Sequence, residues 1–414
     1  MINTPGLRIA SCLVLAMFTI FDAGCATTRI VESSIQRVVN RQPVDRESLK
    51  AAVSTDTRAL ASNVQQLSRR FAEALAQLRA RVRARWGQND DKVADRTTYV
   101  KYTHGYQNRV ITDFDRGSFT VETLDTVDPK ASLRNAIVTA LLTSSDPASV
   151  DLFSDKEVTL TPARRPYLYG LVNDNRGKPI GTRAQAEHYA DYLVSRKART
   201  RPVQSESGTS SAWFVTLAMV NNFEAKGAER YLASVERYAA QYDVSPSLVI
   251  AIIRTESNFN PFAVSGAPAY GLMQLVPTSG GREAMKRARG IDQVPTTEIL
   301  FDADRNIELG TAYLSVLSQA EFEPVVNPAS RDYCVIAAYN TGPRNVTRTF
   351  NREKGEALRI INGMGPPVLF DRLRAGLPAE ETRQYLVKVT GYRAQFVNAG
   401  AASLAGLGRI GADR

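Results

Sequence analysis

Residues 250–277 read IAIIRTESNFNPFAVSGAPAYGLMQLVP, and the reading of the whole chain turns on them. An apolar helical run ends in one carboxylate, Glu256, and passes at once into a loop of Asn, Pro, Ser, Gly and Ala. Glu256 follows Ile252 by four residues and Ile253 by three, so its side chain leaves the helix on the apolar side, toward a core or a cleft. It also sits in the last turn, where the helix dipole is negative. Burial and the dipole both disfavour the ionised form and push the pKa upward; the dipole contributes only about 0.3–1 kcal/mol, so burial is the stronger lever. A carboxylic acid that keeps its proton near neutral pH can give it to a leaving group, which is the general-acid role in glycosidic cleavage. The alternative for this helix alone is a terminal Glu that reaches water or pairs with Arg254 or another base.

Around this helix the pattern stays helical from residue 226 almost to the end. Ser245 is placed as an N-cap with Pro246 after it, and AERYLASVERYAAQY, NIELGTAYLSVLSQA, RDYCVIAAYN and ETRQYLVKVTGYRAQF are further helices punctuated by Gly and Pro. Upstream the pattern changes. RVITDFDRGSFTVETL alternates apolar and polar residues about Asp115-Arg116-Gly117 and predicts a hairpin. DPKASLRNAIVTALL predicts a helix capped by Asp128 with Pro129 in its first turn. EVTLTP and YLYGLVN have strand composition, residues 183–196 read as a helix, and the polar, basic residues 197–212 read as a linker. WFVTLAMV, residues 213–220, is a strand that returns to the N-terminal sheet.

The expected fold class is therefore an α+β N-terminal domain followed by an all-α domain. The expected boundaries are 1–25 for an export signal, 26–94 for a tether and an amphipathic helix, 95–225 for the α+β domain, 226–400 for the all-α domain and 401–414 for a tail. The helix over 56–86 carries its apolar stripe on Leu60, Val64, Leu67, Phe71, Leu75 and Leu78. Its Arg-rich faces could touch lipid headgroups or murein, but the favoured reading is a helix packed on the next domain.

The chain has 414 residues and a net charge of +10, which favours anionic partners or simply solubility. The first residues decide among these. One Arg, an apolar run from Ile9 to Phe21 and then small residues have the layout of an export signal, and the run is too short for a membrane span. Export argues against a nucleic-acid partner. The segment Ala23-Gly24-Cys25 resembles a bacterial lipobox, in which Cys25 is lipidated, although Asp22 stands where Leu is usual; the alternative is ordinary cleavage nearby. Cys12 leaves with the signal, so Cys334 is left alone and reads as a small buried apolar residue. Two His far apart and no C-x-x-C argue against zinc, and no metal or cofactor is expected.

Four separated motifs, in order on the helical domain, resemble those of lytic transglycosylases with a goose-lysozyme-like catalytic domain. They are Glu256-Ser257 with Ser265 nine residues on, GLMQ at 271–274, AAYNTG at 337–342, and ETRQYL at 381–386. The stretches YVKYTHGYQNRVITDFDRGSFTVETL, SVDLFSD and YLYGLV resemble the N-terminal domain of membrane-bound members, so the resemblance covers roughly residues 95–400.

The resemblance implies cleavage of the β-1,4 bond between N-acetylmuramic acid and N-acetylglucosamine in peptidoglycan glycan strands, with 1,6-anhydro ends as product. Glu256 is then the single acid and later the base. Tyr339 and Tyr385 are candidates to hold the N-acetyl group and the developing positive charge, and Gln274 to donate to a sugar oxygen. Ser265 would bond the glutamate or the substrate, Asn340 would fix the Tyr339 loop or bond the sugar, and Glu381 would orient the site. Gly271 would let the backbone approach the sugar. Asp302, Asp304 and Glu308 leave open a second carboxylate in the cleft. Two other readings stand beside this one: a hydrolase on the same fold that releases reducing ends, and a murein-binding scaffold without activity. A periplasmic location follows, at the outer membrane if Cys25 carries lipid and soluble if it does not.

Overall fold

A computed structural model of the chain describes residues 57–161, 164–206, 208–266 and 269–410. The export signal, Cys25 and the tether lie outside the described residues. The first element is α1, Thr57–Trp86, followed by strands β1 (Thr98–Thr103), β2 (Asn108–Asp113) and β3 (Ser118–Thr123). Helices α2 (Pro129–Leu142) and α3 (Arg183–Arg196) precede strands β4 (Arg199–Ser205) and β5 (Gly208–Ala218). All strand pairings are antiparallel and the order is β1-β2-β3-β5-β4, so WFVTLA does return to the sheet, between β3 and β4.

Both faces of this sheet are covered, which is why β1 is buried at four successive positions instead of every second one. Val100 and Tyr102 face α1 and pack with Leu78, Val82 and Trp86. Tyr99 points the other way, into a larger core shared with α2, α3 and the helical half of the chain. The α1 face also holds Arg109, which is 1 % exposed, stacks 3.9 Å from the Trp86 ring and bonds Asp90 and Glu122. A buried guanidinium is tolerable because carboxylates surround it.

Several local expectations hold. Asp128 accepts a hydrogen bond from the Ala131 amide at the start of α2, and the 109–124 hairpin turns at residues 114–117. Others are corrected. EVTLTP and YLYGLVN form no strands: Tyr169 and Leu171 close tight turns onto the carbonyls of Pro166 and Leu168, with Gly170 at φ +74° between them. The apolar residues of YLYGLVN enter the core from turns, and those of EVTLTP are only half-buried, so composition alone mimics a strand. Residues 197–212 are not a linker. Most of the segment forms the β4–β5 hairpin, in which Ser205 pairs with Gly208. β4 is an edge strand that buries only Val203 and carries Pro202, so its sequence is polar and shows no apolar alternation.

The helical half begins with α4 (Phe223–Tyr242) and α5 (Pro246–Ser257), followed by α6 (Arg282–Arg289), α7 (Thr297–Phe301) and α8 (Ala303–Val316). It continues with α9 (Pro328–Thr341), α10 (Pro343–Arg348), α11 (Lys354–Asn362), α12 (Pro366–Gly376) and α13 (Glu380–Ile410). Ser245 is at the N-cap of α5, but its hydroxyl meets the Ser247 hydroxyl rather than a backbone amide. Helix α5 is apolar nearly all round and buries Leu248 through Ile253. Cys334, in α9, is fully buried with a free thiol, as its apolar setting predicts.

The two halves share one core. Phe262, six residues beyond Glu256, is fully buried among aromatic rings of the N-terminal half, 4.5 Å from Tyr99 and 5.3 Å from Tyr167 between ring centroids. This contact fixes the loop after α5 against the sheet.

Candidate active site

Glu256 ends the buried face of α5 and is 6 % exposed. Two non-glycine residues in the left-handed region stop the helix behind it, Asn258 at φ +43° and Phe259 at φ +65°. Such backbone is unfavourable for side-chain-bearing residues and persists only where surrounding contacts hold it. The contacts here come from the N-terminal half. Asn258 Nδ2 donates to the Phe114 carbonyl at 2.7 Å and to Asp115 Oδ1 at 3.2 Å, and Asn260 Nδ2 donates to the Arg96 carbonyl at 3.2 Å.

Helix α13 runs along α5 and brings Tyr385 to the carboxyl, its hydroxyl donating to Glu256 Oε1 at 2.7 Å. Burial pushes the Tyr385 phenol well above its usual range and the nearby Glu256 charge adds to this, so the hydroxyl keeps the proton it donates. One turn earlier on α13, Glu381 is largely exposed, with 59 % of its side chain open to solvent. Between the two carboxylates stands Arg96, with Nη1 at 3.7 Å from Glu256 Oε2 and 3.6 Å from Glu381 Oε1.

Burial raises the Glu256 carboxyl from 4.5 to about 7. Arg96 and the Tyr385 hydrogen bond act against burial by favouring the charged form, while Glu381 acts with it through like charge. The sequence expectation that burial dominates is met, and Arg254 does not neutralise the site. The Arg254 guanidinium instead bonds Glu224 and Gln395 and stacks 3.9 Å from the Tyr392 ring.

The GLMQ segment is the loop of a tight hairpin in which Tyr270 and Leu275 exchange backbone bonds at 3.1 and 3.2 Å. Ser257 Oγ donates to the Leu272 carbonyl at 2.8 Å, tying this loop to the turn of α5 that carries Glu256. Asn306, fully buried on α8, accepts from the Met273 amide and donates to the carbonyls of Tyr270 and Leu300.

Gly271, at φ +76°, has a packing role that the sequence reading did not include. A Cβ there would lie 2.3 Å from the Leu300 carbonyl oxygen and 2.4 Å from Asn306 Nδ2. Gln274 also differs from expectation. Its side-chain amide donates to the carbonyls of Ala263 and Gly271 at 3.1 and 2.9 Å, and its Oε1 is buried without a protein partner. The atom left over is an acceptor, suited to a donor group of a ligand and not to a sugar acceptor oxygen.

Tyr339, near the end of α9, donates to the Met273 carbonyl at 2.8 Å. Burial raises its phenol well above the usual range, and the Glu256 charge is the next contributor. Asn340 accepts from the Thr382 hydroxyl at 2.7 Å, which locks α9 to α13 next to Glu381. Ser265 lines a cavity of about 360 Å³ at the seam of the two halves, together with Asp95, Arg96, Asp115 and Lys388.

The other carboxylates are committed elsewhere. Asp302 caps α8 through the Arg305 amide, Asp304 meets Arg237, Ser234 and Tyr238, and Glu308 pairs with Arg289. Glu256 thus shares its immediate surroundings with only one carboxylate named by the sequence, Glu381, and that one lies across Arg96.

Arg96 and Asn306 were not found from the sequence. Arg96 precedes β1 and looks like an ordinary loop residue; the available signal was Asp95, whose Oδ1 accepts from the Thr97 and Thr98 amides and turns the chain. Asn306 offered only its place as a polar residue on an apolar helix.

The family model described as "Membrane-bound lytic murein transglycosylase C, N-terminal domain" matches residues 55–230, and that described as "Transglycosylase SLT domain" matches residues 233–362. The membrane-bound lytic murein transglycosylase C of Yersinia enterocolitica is 45% identical over 304 residues, spanning 73% of this chain and 83% of the relative. The protein of the same name from Sodalis glossinidius is 42% identical over 311 residues, 75% of this chain and 85% of its own. Among solved structures, an inactive mutant of lytic transglycosylase Slt from Pseudomonas aeruginosa is 31% identical with a TM-score of 0.32, over 40% of this chain and 24% of that one.

Proposed function

This chain belongs to the membrane-bound lytic murein transglycosylase C family, and from that premise we propose that it cleaves peptidoglycan glycan strands with Glu256 as acid and then as base. The observation that carries the reading is the Glu256 carboxyl itself: buried, held near a pKa of about 7 and bonded by the Tyr385 hydroxyl. At neutral pH such a group still holds a proton to give, and the transfer leaves it as the carboxylate that acts as base in the second step.

In the first step the Glu256 carboxyl protonates the oxygen bridging N-acetylmuramic acid to N-acetylglucosamine, and the bond from that oxygen to the anomeric carbon breaks. The carbonyl oxygen of the substrate's own N-acetyl group bonds the anomeric carbon, giving an oxazolinium-like intermediate. In the second step ionised Glu256 takes the proton of the muramoyl C6 hydroxyl. That oxygen displaces the acetamido oxygen and closes a 1,6-anhydro ring. Glu256 ends protonated as it began, and no water is consumed.

Tyr385 steadies the charged form of Glu256 between the two steps. In this reading Tyr339 and Ser265 contribute to holding the N-acetyl group and the sugar, and Gln274 Oε1 accepts from a sugar hydroxyl or amide. Asn340 and Glu381 set the position of α13 and of the charges upon it.

Mass spectrometry of the fragments released from purified sacculi tests the reaction type. Anhydro-muramoyl ends from the wild type, and none from Glu256→Gln, support it. Reducing muramic acid ends would make the chain a hydrolase, and equal clearing by both proteins would remove Glu256 from the mechanism. For location, the family name says membrane-bound, and among the described residues no helix is long and apolar enough to cross a membrane. A lipid on Cys25 provides the attachment to the outer membrane, facing the periplasm. Fatty-acid labelling of the wild type that is lost in Cys25→Ala is the expected result.

A further inference from the structure

The residue that faces Glu256 from outside the helical half is Arg96. Its backbone is set by a turn in which Asp95 Oδ1 accepts from the Thr97 and Thr98 amides and the Asp95 amide donates to the Thr98 carbonyl at 2.9 Å. The turn is then pinned to the catalytic loop: Asn260 Nδ2 donates to the Arg96 carbonyl, and the Val264 amide reaches the Asp95 carbonyl at 3.4 Å. The guanidinium therefore approaches Glu256 from a fixed base, while 41 % of the side chain remains open to solvent.

Its distances to Glu256 and Glu381 are nearly equal, 3.7 and 3.6 Å, and both exceed a direct hydrogen bond. It is held between two carboxylates without being committed to either. The charged and titratable groups around Glu256 are Arg96 from the turn before β1, Glu381 and Tyr385 from α13, and Tyr339 from α9. Asp95, Asp115, Arg254 and Lys388 line the adjoining cavity.

We propose that Arg96 is a positioning residue of the reaction, by which the N-terminal half steadies Glu256 in its charged form after the first proton transfer, with Glu381 competing for the same guanidinium. This rests on Glu256 being the acid and base. In the acid step a neutral Glu256 leaves Arg96 to Glu381. When Glu256 ionises, Arg96 gains a second partner, and the cost of a buried charge falls at the moment that charge appears. The N-terminal half then belongs to the catalytic unit and is more than an attachment.

The two residues act on Glu256 with opposite signs, and the test uses that. Full-length wild type, R96Q, R96K and E381Q are compared for kcat/KM on glycan strands between about pH 5 and 9, after melting curves establish that each is folded. R96Q is expected to move the alkaline limb upward by about one pH unit, since an opposite charge this close typically shifts a carboxyl by about that much or more. It should also lower kcat on the acid side, where the base step loses its counterion. R96K should restore most of both effects. E381Q, altered at a largely exposed side chain, should move the limb downward.

A limb that stays in place in both variants, or moves the same way in both, overturns the proposal. So does R96K behaving like R96Q. A second readout needs no turnover: the pH at which E256Q gains melting temperature over its parent should rise when R96Q is added to both, and a midpoint that does not move counts against Arg96. Full activity of E256Q would instead sink the assignment of Glu256, and the two failures are thereby told apart.

Discussion

If burial sets the proton affinity of Glu256, then removing its charge must stabilise the fold, and by an amount that depends on pH. The perturbation is Glu256→Gln, which keeps the shape and the acceptor facing the Tyr385 hydroxyl but cannot ionise. Unfolded, the glutamate titrates near 4.5; folded, it titrates near about 7. Between these values the folded protein holds a proton that the unfolded chain has lost, so wild-type stability declines as pH rises and the decline is complete above about pH 8. At about 1.4 kcal/mol for each pH unit separating the two pKa values, the loss is about 3 kcal/mol. For a chain of this size that amounts to about 3–4 °C in Tm. The assay is differential scanning calorimetry of wild type and Glu256→Gln from about pH 4 to 8.5. Their Tm difference at pH 4 is the baseline, and relative to it the variant should gain about 3–4 °C by pH 8, with the midpoint of the gain between about pH 5 and 7. A difference that is flat across this range would show that Glu256 carries no raised pKa. A difference of opposite sign, with the wild type gaining as pH rises, would show that Arg96 outweighs burial and that the acid role is untenable near neutrality.

Tyr385→Phe removes the hydrogen bond that favours the carboxylate; kcat should fall about ten- to a hundred-fold, within the range for acid–base assistance, and the alkaline limb of kcat/KM should move upward in a pH series. Asn306→Ala leaves the Met273 amide and the carbonyls of Tyr270 and Leu300 without their partner; unfolding curves should show a loss of about 2–4 kcal/mol, since each unsatisfied buried group costs about 1–3 kcal/mol. Gly271→Ala should cost at least about 2 kcal/mol, because the added Cβ meets a backbone carbonyl at 2.3 Å in a left-handed conformation. Activity should fall with it if the GLMQ loop shapes the site, and a variant with wild-type Tm would refute the packing role given to that glycine.

What the sequence made legible was local. The apolar phase of α5 placed Glu256 on the buried face, Asp128 and Pro129 placed the start of α2, and Asp115-Arg116-Gly117 placed a turn, because neighbours in sequence decide each of these. The convergence of Glu256, Tyr339 and Tyr385 comes from resemblance, since no spacing argument brings residues so distant in the chain to one site. Arg96 lay beyond both routes. Its importance comes from a turn docked on Asn260 across the seam between the halves, and a loop arginine gives no periodic signal. The β4–β5 hairpin looks like a linker in sequence for a related reason. An edge strand can be polar on both faces, and the apolar pattern that usually announces a strand is a sign of burial rather than of strand geometry. YLYGLVN shows the converse, apolar residues buried from turns.

The site combines these scales in one balance of charge. Burial alone would leave Glu256 a reluctant base, because a fully desolvated carboxylate is costly to form. Ionic pairing alone would leave it a poor acid, deprotonated well below neutrality. The structure sets the two against each other: a helix that is apolar nearly all round holds the carboxyl out of water, while Tyr385 and Arg96 favour its charge and Glu381 opposes it. Burial comes from contiguous sequence, whereas each of the opposing groups is supplied by a distant part of the chain. The proton affinity that permits two roles in one turnover is therefore a property of the docked halves, and a substitution that loosened Asn258 or Asn260 from the N-terminal half would alter it without touching Glu256.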